Sequence, residues 1–550
     1  MSPGTDGAGL AAAGTRRSYG MIHRVPDAVV IGAGHNGLVA ANLLADAGWS
    51  VEVLEAQPTP GGAVRSDTEV ADGFVHDTFS AFYPFAAASP IIRGLELDRH
   101  GLTWVHAPAV LGNPLPSRDG ATASGWALQV RDREQTAAWF DAAHRGDGAA
   151  WLHLTALWDR VGADLIGAML SPFPPVRHGL RLLGRLVNRH GPDTARLLLS
   201  GVSQVDRHRF SGRGPGLLLA GNSQHGDLPP GLPGSGAFGW MMTMLGHQYG
   251  FPVPRGGAGQ LAAALVRRLE STGSSVHCGV EVTGIDVRAG RAVGVRTKGG
   301  DQVPADQAVL ADVSAPRLYG GLVSWEVLPA RTRLLMRRFR WDPATVKVDW
   351  AVDGPVPWDP APEVMPGCVH VAESVAEVAS TDLELRRGLV PRHPFLLLGQ
   401  MTTTDPSRSP AGTESMWAYS HVPQLVSGDA GPEGITDVAA GDGAERFADR
   451  MQARIERFAP GFGDRVRARR VLSPSELEQR NANLHGGAVN AGTAAQLAVL
   501  RPVPGLGGAE TPVRRLFLAG ASAHPGGGVH GAPGANAARA ALAAHRLRRR

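Results

Sequence analysis

Near its amino terminus the chain reads Asp27-Ala-Val-Val-Ile-Gly-Ala-Gly-His-Asn-Gly37, an apolar run followed directly by three spaced glycines. The β-branched run predicts a buried strand, and residues 38–47 predict a helix that ends at Gly48. A second predicted strand, at residues 50–54, leads to Glu55. This order of elements predicts a strand–turn–helix–strand unit that binds a dinucleotide.

The three glycines and the acid have separate physical tasks in such a unit. Gly32 permits the tight turn, Gly34 lets the backbone approach a pyrophosphate, and Gly37 lets the helix pack closely on the strand. The helix amino terminus offers free N–H groups and the positive end of its dipole to the phosphates. Glu55 stands where a carboxylate accepts hydrogen bonds from ribose hydroxyls.

The glycine pattern alone is not selective in this chain, because 72 of its 550 residues are glycine. The same spacing recurs from Gly234 and from Gly526, but only the copy at Gly32 has the strands, the helix and the acid in order. We interpret residues 234–239, which follow a proline-rich stretch, as an unrelated loop.

A glycine pair and an arginine follow Glu55, at Gly61, Gly62 and Arg65. Here the sequence resembles the flavoprotein superfamily of amine oxidases and phytoene desaturases. The resemblance implies that these three residues line the pyrophosphate and ribityl side of a bound FAD. It extends from Val25 to the carboxyl terminus and is greatest to the branch named pyridine nucleotide-disulfide oxidoreductase domain-containing protein 2. The chain has only two cysteines, far apart, so it lacks the dithiol in that name.

The carboxyl-terminal segment also resembles phytoene-dehydrogenase-like proteins, through the motif His524-Pro-Gly-Gly-Gly528. A predicted strand at residues 515–519 leads into this glycine-rich loop and then into a helix of small residues. The resemblance implies that the loop caps the flavin through Gly520, Ala521, Gly528 and Val529. Many relatives carry Asp in place of Ala521, and Ser522 is the candidate for the ribityl contact that the Asp would make.

The resemblance implies an α/β fold, with a discontinuous Rossmann-like FAD-binding domain of the glutathione-reductase-like type and an α+β substrate domain. We expect a disordered tail at residues 1–24, FAD-binding parts at 25–114, 246–319 and 509–550, and substrate or cap regions at 115–245 and 320–508. In the second FAD-binding part we predict a helix at 262–271 and strands up to residue 312. The backbone at Val282 is implied to lie against the adenine.

The same resemblance predicts an FAD-dependent oxidoreductase that desaturates or isomerises an apolar or amphipathic small molecule by hydride transfer to flavin. His485, His524 and His530 are candidates for proton transfer, because each lies in a glycine-rich segment and histidine titrates near neutral pH. A structural role is the alternative for each, since the chain has 20 histidines.

Two other functions stay open: an amine-oxidase-type flavoenzyme, and a non-catalytic regulatory or scaffold protein stabilised by FAD. No second strand–glycine-motif–helix unit occurs in the sequence, so we expect oxygen, a quinone or another acceptor to reoxidise the flavin rather than NADPH.

Composition argues against several other classes. The 54 basic and 50 acidic residues give a net charge of +4, and the basic residues are scattered, so we expect no nucleic-acid partner. No cysteine spacing indicates a metal site. No apolar run reaches the 18 residues of a membrane span, so we expect a cytoplasmic protein, its oligomeric state left open. The start of translation is ambiguous between Met1 and Met21.

Residues 176–189 carry an arginine at every fourth position beside a stripe of apolar residues. This pattern is typical of an amphipathic helix. Such a helix either lies on a membrane surface, which would make the protein peripheral to a membrane, or is a solvated helix of a cap region.

Overall fold

The computed structural model describes residues 25–116, 123–187, 191–439, 442–493 and 508–549. The tail predicted to be disordered, residues 1–24, and Arg189 of the arginine stripe lie outside the described residues.

The strands, in chain order, divide into two large sheets and several small ones. They are β1 (Ala28–Ile31), β2 (Val51–Glu55), β3 (Ser66–Asp67), β4 (His76–Asp77), β5 (Trp104–Val105), β6 (Ala109–Pro116), β7 (Ala123–Gln129), β8 (Val253–Pro254), β9 (Ser275–Cys278), β10 (Val282–Arg288), β11 (Arg291–Thr297), β12 (Gln302–Pro304), β13 (Ala308–Ala311), β14 (Ala344–Asp353), β15 (Pro366–Val371), β16 (Leu389–Val390), β17 (Leu396–Gln400), β18 (Thr413–Val422), β19 (Gly428–Asp429), β20 (Val466–Leu472) and β21 (Leu516–Leu518).

The helices pack around these sheets, and a run of them occupies the chain between β7 and β8. They are α1 (His35–Asp46), α2 (Pro84–Ala88), α3 (Pro90–Arg93), α4 (Arg133–Ala143), α5 (Asp147–Leu170), α6 (Val176–Leu186), α7 (Gly191–Leu199), α8 (Val202–Arg209), α9 (Arg213–Gln224), α10 (Ser235–Tyr249), α11 (Gly259–Glu270), α12 (Ala315–Arg317), α13 (Ala330–Arg337), α14 (Val375–Arg386), α15 (Met401–Thr404), α16 (Asp442–Glu456), α17 (Pro474–Arg480) and α18 (Ala532–Arg549).

A five-stranded parallel sheet, in the order β21-β13-β1-β2-β9, forms the nucleotide-binding half. Alternate residues of β1 enter different cores: Ala28 and Val30 pack with α1, α11 and α18, whereas Val29 and Ile31 pack with β10, β11 and β12. Both faces of the sheet are therefore covered, which explains why its strands are apolar throughout. The strands come from three distant parts of the chain, so the Rossmann-like domain is discontinuous, as predicted.

A seven-stranded, mostly antiparallel sheet forms the other half, in the order β20-β14-β18-β17-β15-β6-β7. On β14, Val346, Val348 and Trp350 pack into a core that α16 covers. The residues between them point the opposite way, because side chains alternate along a strand, and Thr345 and Lys347 face a large cavity. The sheet thus forms one wall of that cavity.

Two details differ from the sequence-based expectations. Residues 234–239 are not a loop: Gly234 precedes α10, which begins at Ser235. No strand precedes it, so the glycine spacing there reflects helix packing rather than a nucleotide turn. The predicted domain boundary after residue 114 falls inside β6, which pairs with β7 and β15 in the seven-stranded sheet. Ala109–Pro116 therefore belongs to the second half of the molecule.

Candidate functional site

Two cavities meet at the carboxyl-terminal end of the parallel sheet, where ligands bind in folds of this type. A narrow cleft is lined by Gly32, Glu55 and Val282. A larger cavity of about 570 Å³ extends from it toward the seven-stranded sheet. The residues common to both are Gly34, Gly62, Asp312, Val313, Asn481 and Asn483. The two spaces therefore form one continuous path past the predicted glycine turn.

Glu55, the acid at the end of β2, lies at the narrow end of this path. Glu55 is buried, and its carboxylate accepts hydrogen bonds from the backbone N–H groups of Ala33 at 2.7 Å and Gln57 at 2.9 Å. These bonds fix the carboxylate beside the glycine turn. Val282 also lines the cleft around it, so the two residues expected on the adenosine side lie together.

Of the glycine pair and Arg65, Gly62 lines this path directly, whereas Gly61 and Arg65 lie behind it. Gly62 lines both cavities, and a Cβ on it would be 2.9 Å from Gly34 Cα, so the two backbones touch. The N–H of Gly61 donates a hydrogen bond to the carbonyl oxygen of Ala33. Arg65 lies one layer back: it stacks on Phe79 and donates to the carbonyl of Arg480.

A buried polar atom and two cations show whether the charge of this path suits a dinucleotide. The Nε of Arg65 is buried and has no hydrogen-bond partner among the described residues. Arg317 and Arg480 line the narrow cleft, where they offer positive charge to phosphates. The glycine backbones, these cations and Glu55 together fit the charge and shape of FAD.

The carboxyl-terminal loop forms one wall of the larger cavity. Ala521, Gly528 and Val529 line it, whereas Gly520 lies beneath, because a Cβ there would be 2.2 Å from the Val313 carbonyl oxygen. Ser522 does not take the place of the missing Asp. Its hydroxyl is buried away from the cavity, donating to the Ala491 carbonyl and accepting from the Ala315 N–H.

The three candidate histidines lie in different surroundings. His524 and His530 line the cavity, and His524 contacts the ring of Phe173 edge-on. The Nδ1 of His530 accepts from the N–H of Ala532, the first residue of α18, so this ring also caps a helix. His485 is half-exposed, is paired with Glu478 at 2.9 Å and does not line the cavity. The prediction of proton transfer by His485 therefore fails on position: neighbouring Asn483 and Leu484 line the cavity, but the His485 side chain points to solvent.

Two histidines that the sequence did not single out also line the cavity. His35, inside the glycine motif, faces the Gly528 carbonyl at 3.3 Å, and burial lowers its pKa to about 4. His225 is 3.1 Å from His370, Nε2 to Nε2, and burial lowers the pKa of His225 to about 3. Both rings are neutral at physiological pH and act as hydrogen-bond partners rather than as charges.

Aromatic and aliphatic residues make up most of the remaining cavity wall, and one cation stands among them. The wall includes Phe82, Phe85, Phe238, Met242, Phe251, Leu397, Trp417 and Tyr419. Lys347 is one of only two lysines in the chain; it pairs with buried Asp349 and lies 5.8 Å from the Trp417 ring centre. Burial lowers the pKa of Lys347, while the Asp349 carboxylate acts in the opposite direction. Asp312 is the one acid among the described lining residues, and it lies at the cofactor end.

Comparisons with known proteins agree with this geometry. Residues 30–92 match the family of NAD(P)-binding Rossmann-like domains, and residues 185–382 match the flavin containing amine oxidoreductases. Pyridine nucleotide-disulfide oxidoreductase domain-containing protein 2 of Mus musculus is 28% identical over 93% of this chain and 92% of its own length. The neurosporene-forming phytoene desaturase of Cereibacter sphaeroides is 24% identical over 94% of both chains.

A solved oxidoreductase from Methanosarcina mazei shares the fold, with a TM-score of 0.58 and 17% identity over 94% of this chain and 99% of its own. The family matches, the full-length relatives and the joined clefts at the glycine turn all indicate an FAD-binding oxidoreductase. The chain is an FAD-dependent oxidoreductase, and its sequence is similar to those of the phytoene desaturases.

Proposed function

We propose that this protein dehydrogenates or isomerises an uncharged, apolar or amphipathic small molecule held against FAD. The observation that carries the proposal is the large cavity, which continues from the cofactor cleft and is walled by aromatic and aliphatic side chains. Such walls favour apolar ligands, because burying apolar surface contributes roughly 25 cal/mol per Å². The phytoene desaturase among the relatives bears a name consistent with that substrate class.

FAD would supply the redox chemistry, accepting a hydride from a substrate carbon. The residues that would hold it are Glu55 and Val282 at the adenosine end, Gly34 and Gly62 at the phosphates, and the backbone of Gly528 and Val529 at the ring end. Arg65 would act from behind Gly62. We also propose the glutathione-reductase-like arrangement, with the nucleotide-binding parts as predicted except that the first ends before Ala109.

His524 is the remaining histidine that fits proton transfer at the cavity. It lines the space, whereas the other candidate, His530, accepts a backbone hydrogen bond at Nδ1 and is largely committed to the start of α18. Histidine is a residue type suited to moving a proton near neutral pH.

The charge of the cavity argues against the amine-oxidase alternative. A protonated amine would meet the Lys347 ammonium, and no described carboxylate lines the substrate end to receive it. Burying an unpaired charge is costly, so a neutral substrate fits better.

Anaerobic mixing of the holoprotein with two matched series of compounds tests this proposal. We expect neutral polyenes or terpenoid hydrocarbons to bleach the flavin absorption, and primary amines of the same chain length to leave it unchanged. Bleaching by the amines and not by the hydrocarbons would reverse the assignment. A flavin that no donor of either series reduces would exclude dehydrogenation of these compounds; conversion of the hydrocarbon into an isomer would then identify an isomerase, and no conversion would favour the scaffold function.

Helix α6 is the surface that we propose for contact with a membrane. Its apolar residues Val176, Leu180 and Leu183 are 60–65% exposed, and Arg177 and Arg181 lie beside them. The helix begins directly after Pro175, which lines the cavity. An apolar stripe flanked by arginines fits an anionic lipid surface, from which a lipophilic substrate would have a short path to the cavity. No helix of the described residues is long and apolar enough to cross a bilayer.

Vesicle co-sedimentation provides the test of this surface. We expect the protein to bind anionic phosphatidylserine vesicles more strongly than zwitterionic phosphatidylcholine vesicles. Replacing Leu180 and Leu183 together by Glu should weaken that binding by about tenfold or more, because burying one leucine contributes roughly 1.5–3 kcal/mol. Leu425→Glu, at an 84% exposed leucine on another surface, is the matched control and should have no effect. Equal binding by all three proteins would refute the assignment to α6.

A further inference from the structure

An acidic side chain lies where the predicted dinucleotide turn is expected to receive phosphate. Asp312 directly follows β13, which is adjacent to β1 in the sheet. Its Oδ2 accepts a hydrogen bond of 2.8 Å from the N–H of Gly37, in the first turn of α1. A Cβ on Gly34 would be only 2.4 Å from the same oxygen. The carboxyl group therefore occupies the space that Gly34 leaves open at the helix amino terminus.

This carboxyl group lacks a compensating cation. Among the described residues it forms no ion pair with a Lys, Arg or His, and it is 7% exposed. Burial raises the pKa of Asp312 to about 7; the Gly37 N–H lowers it and the Glu55 carboxylate raises it further. The other charged groups facing this path are Arg317, Arg480 and Glu281 in the narrow cleft and Lys347 in the cavity; His35 on α1 is neutral.

FAD would bring two further negative charges into the same space. With Asp312 ionised, the pyrophosphate would meet a carboxylate already bonded to the helix terminus that normally binds phosphate. A neutral carboxyl keeps the bond from Gly37 through its carbonyl oxygen and gains an O–H that can donate to a phosphate oxygen.

We propose that Asp312 is a positioning residue that admits FAD as a neutral carboxylic acid, so that cofactor binding takes up one proton. This inference rests on the FAD site and not on the identity of the substrate. A bound diphosphate raises the proton affinity of Asp312, so binding and protonation favour each other. FAD affinity should therefore be highest below neutral pH and fall above it, by at most about tenfold per pH unit for a single proton.

Titration of the apoprotein with FAD at pH 6, 7, 8 and 9, followed by flavin fluorescence, measures this linkage. We expect the dissociation constant of the wild type to rise above pH 7, approaching tenfold per unit. Asp312→Asn keeps the size of the side chain and its acceptor oxygen for Gly37, so its dissociation constant should be nearly flat across the range and close to the wild-type value at pH 6.

Asp382→Asn is the matched control, because burial raises the pKa of Asp382 to about 7 as well, yet this acid lies outside both cavities and bonds to Gln224. It should retain the wild-type slope. A second measurement needs no variant: calorimetry of FAD binding at pH 8, in two buffers of different ionisation enthalpy, should report uptake of nearly one proton. A flat wild-type profile, an unchanged slope in Asp312→Asn, or no proton uptake would overturn the proposal. None of these outcomes depends on finding a substrate.

Discussion

Replacing Gly34 by valine should give a folded protein that purifies without flavin, with its affinity for FAD lowered by at least about 100-fold, or roughly 2.7 kcal/mol. Gly34 lines both the narrow cleft and the large cavity, at the point where they join. Its backbone φ of −67° is open to any residue, so valine strains no torsion there. The added side chain would instead fill the path past Asp312, whose carboxyl oxygen is 2.4 Å from the new Cβ.

Equilibrium dialysis against FAD, with circular dichroism to verify folding, measures this effect. Gly231→Val is the matched control, since a Cβ on Gly231 meets nothing within 4 Å and its backbone also has no positive φ. It should bind FAD as the wild type does. A Gly34→Val protein that retains FAD would show that the cofactor does not pass this turn.

Removing the carboxylate of Asp77 should cost about 3–5 kcal/mol of unfolding free energy, the usual effect of stranding one partner of a buried ion pair. Asp77, on β4, and Arg408, between α15 and β18, are both fully buried and lie 2.6 Å apart. Asp77 also accepts from the Ser66 hydroxyl and the Ala258 N–H, each at 2.8 Å. The pair therefore links β4, in the first cofactor-binding part, to the turn that leads into β18 of the seven-stranded sheet.

Denaturant unfolding of Asp77→Ala, Arg408→Met and the double variant tests this link. The double variant should lose less stability than the sum of the two single losses, because it leaves no unpaired buried charge. Glu96→Ala removes the exposed pair with Arg99 and should change stability by less than about 1 kcal/mol. If Asp77→Ala were no more destabilising than Glu96→Ala, the buried pair would not join the two halves.

The sequence alone predicted the nucleotide-binding half closely, because its signals are local. The strand expected at residues 27–31 is found at Ala28–Ile31, and the helix expected at 262–271 is found at Gly259–Glu270. A glycine turn between an apolar strand and a helix specifies its own geometry, independently of the rest of the chain. The continuity of the resemblance then linked the carboxyl-terminal loop to the same site.

The rest of the site could not be predicted in this way, because the positions of its residues depend on pairing between strands that are distant in the sequence. Asp312 was read only as the end of a strand, and its position opposite Gly37 follows from the pairing of β13 with β1. Lys347 faces the cavity because of the register of β14, although its rarity in an arginine-rich chain was a signal available from composition.

Irregular loops set a different limit on prediction. Ser522 and His485 lie in glycine-rich segments as expected, but side-chain direction in such segments follows no period. Ser522 turns inward to Ala491, and His485 turns outward to Glu478. Their sequence neighbourhood was therefore a poor guide to their contacts.

The visible absorption spectrum of the purified protein, recorded before and after heat denaturation, tests the FAD site most directly. We predict a flavin spectrum from the native protein and release of FAD, rather than FMN or riboflavin, on heating. A colourless protein that remains colourless after incubation with excess FAD would contradict the assignment of the joined clefts at Gly34 to this cofactor.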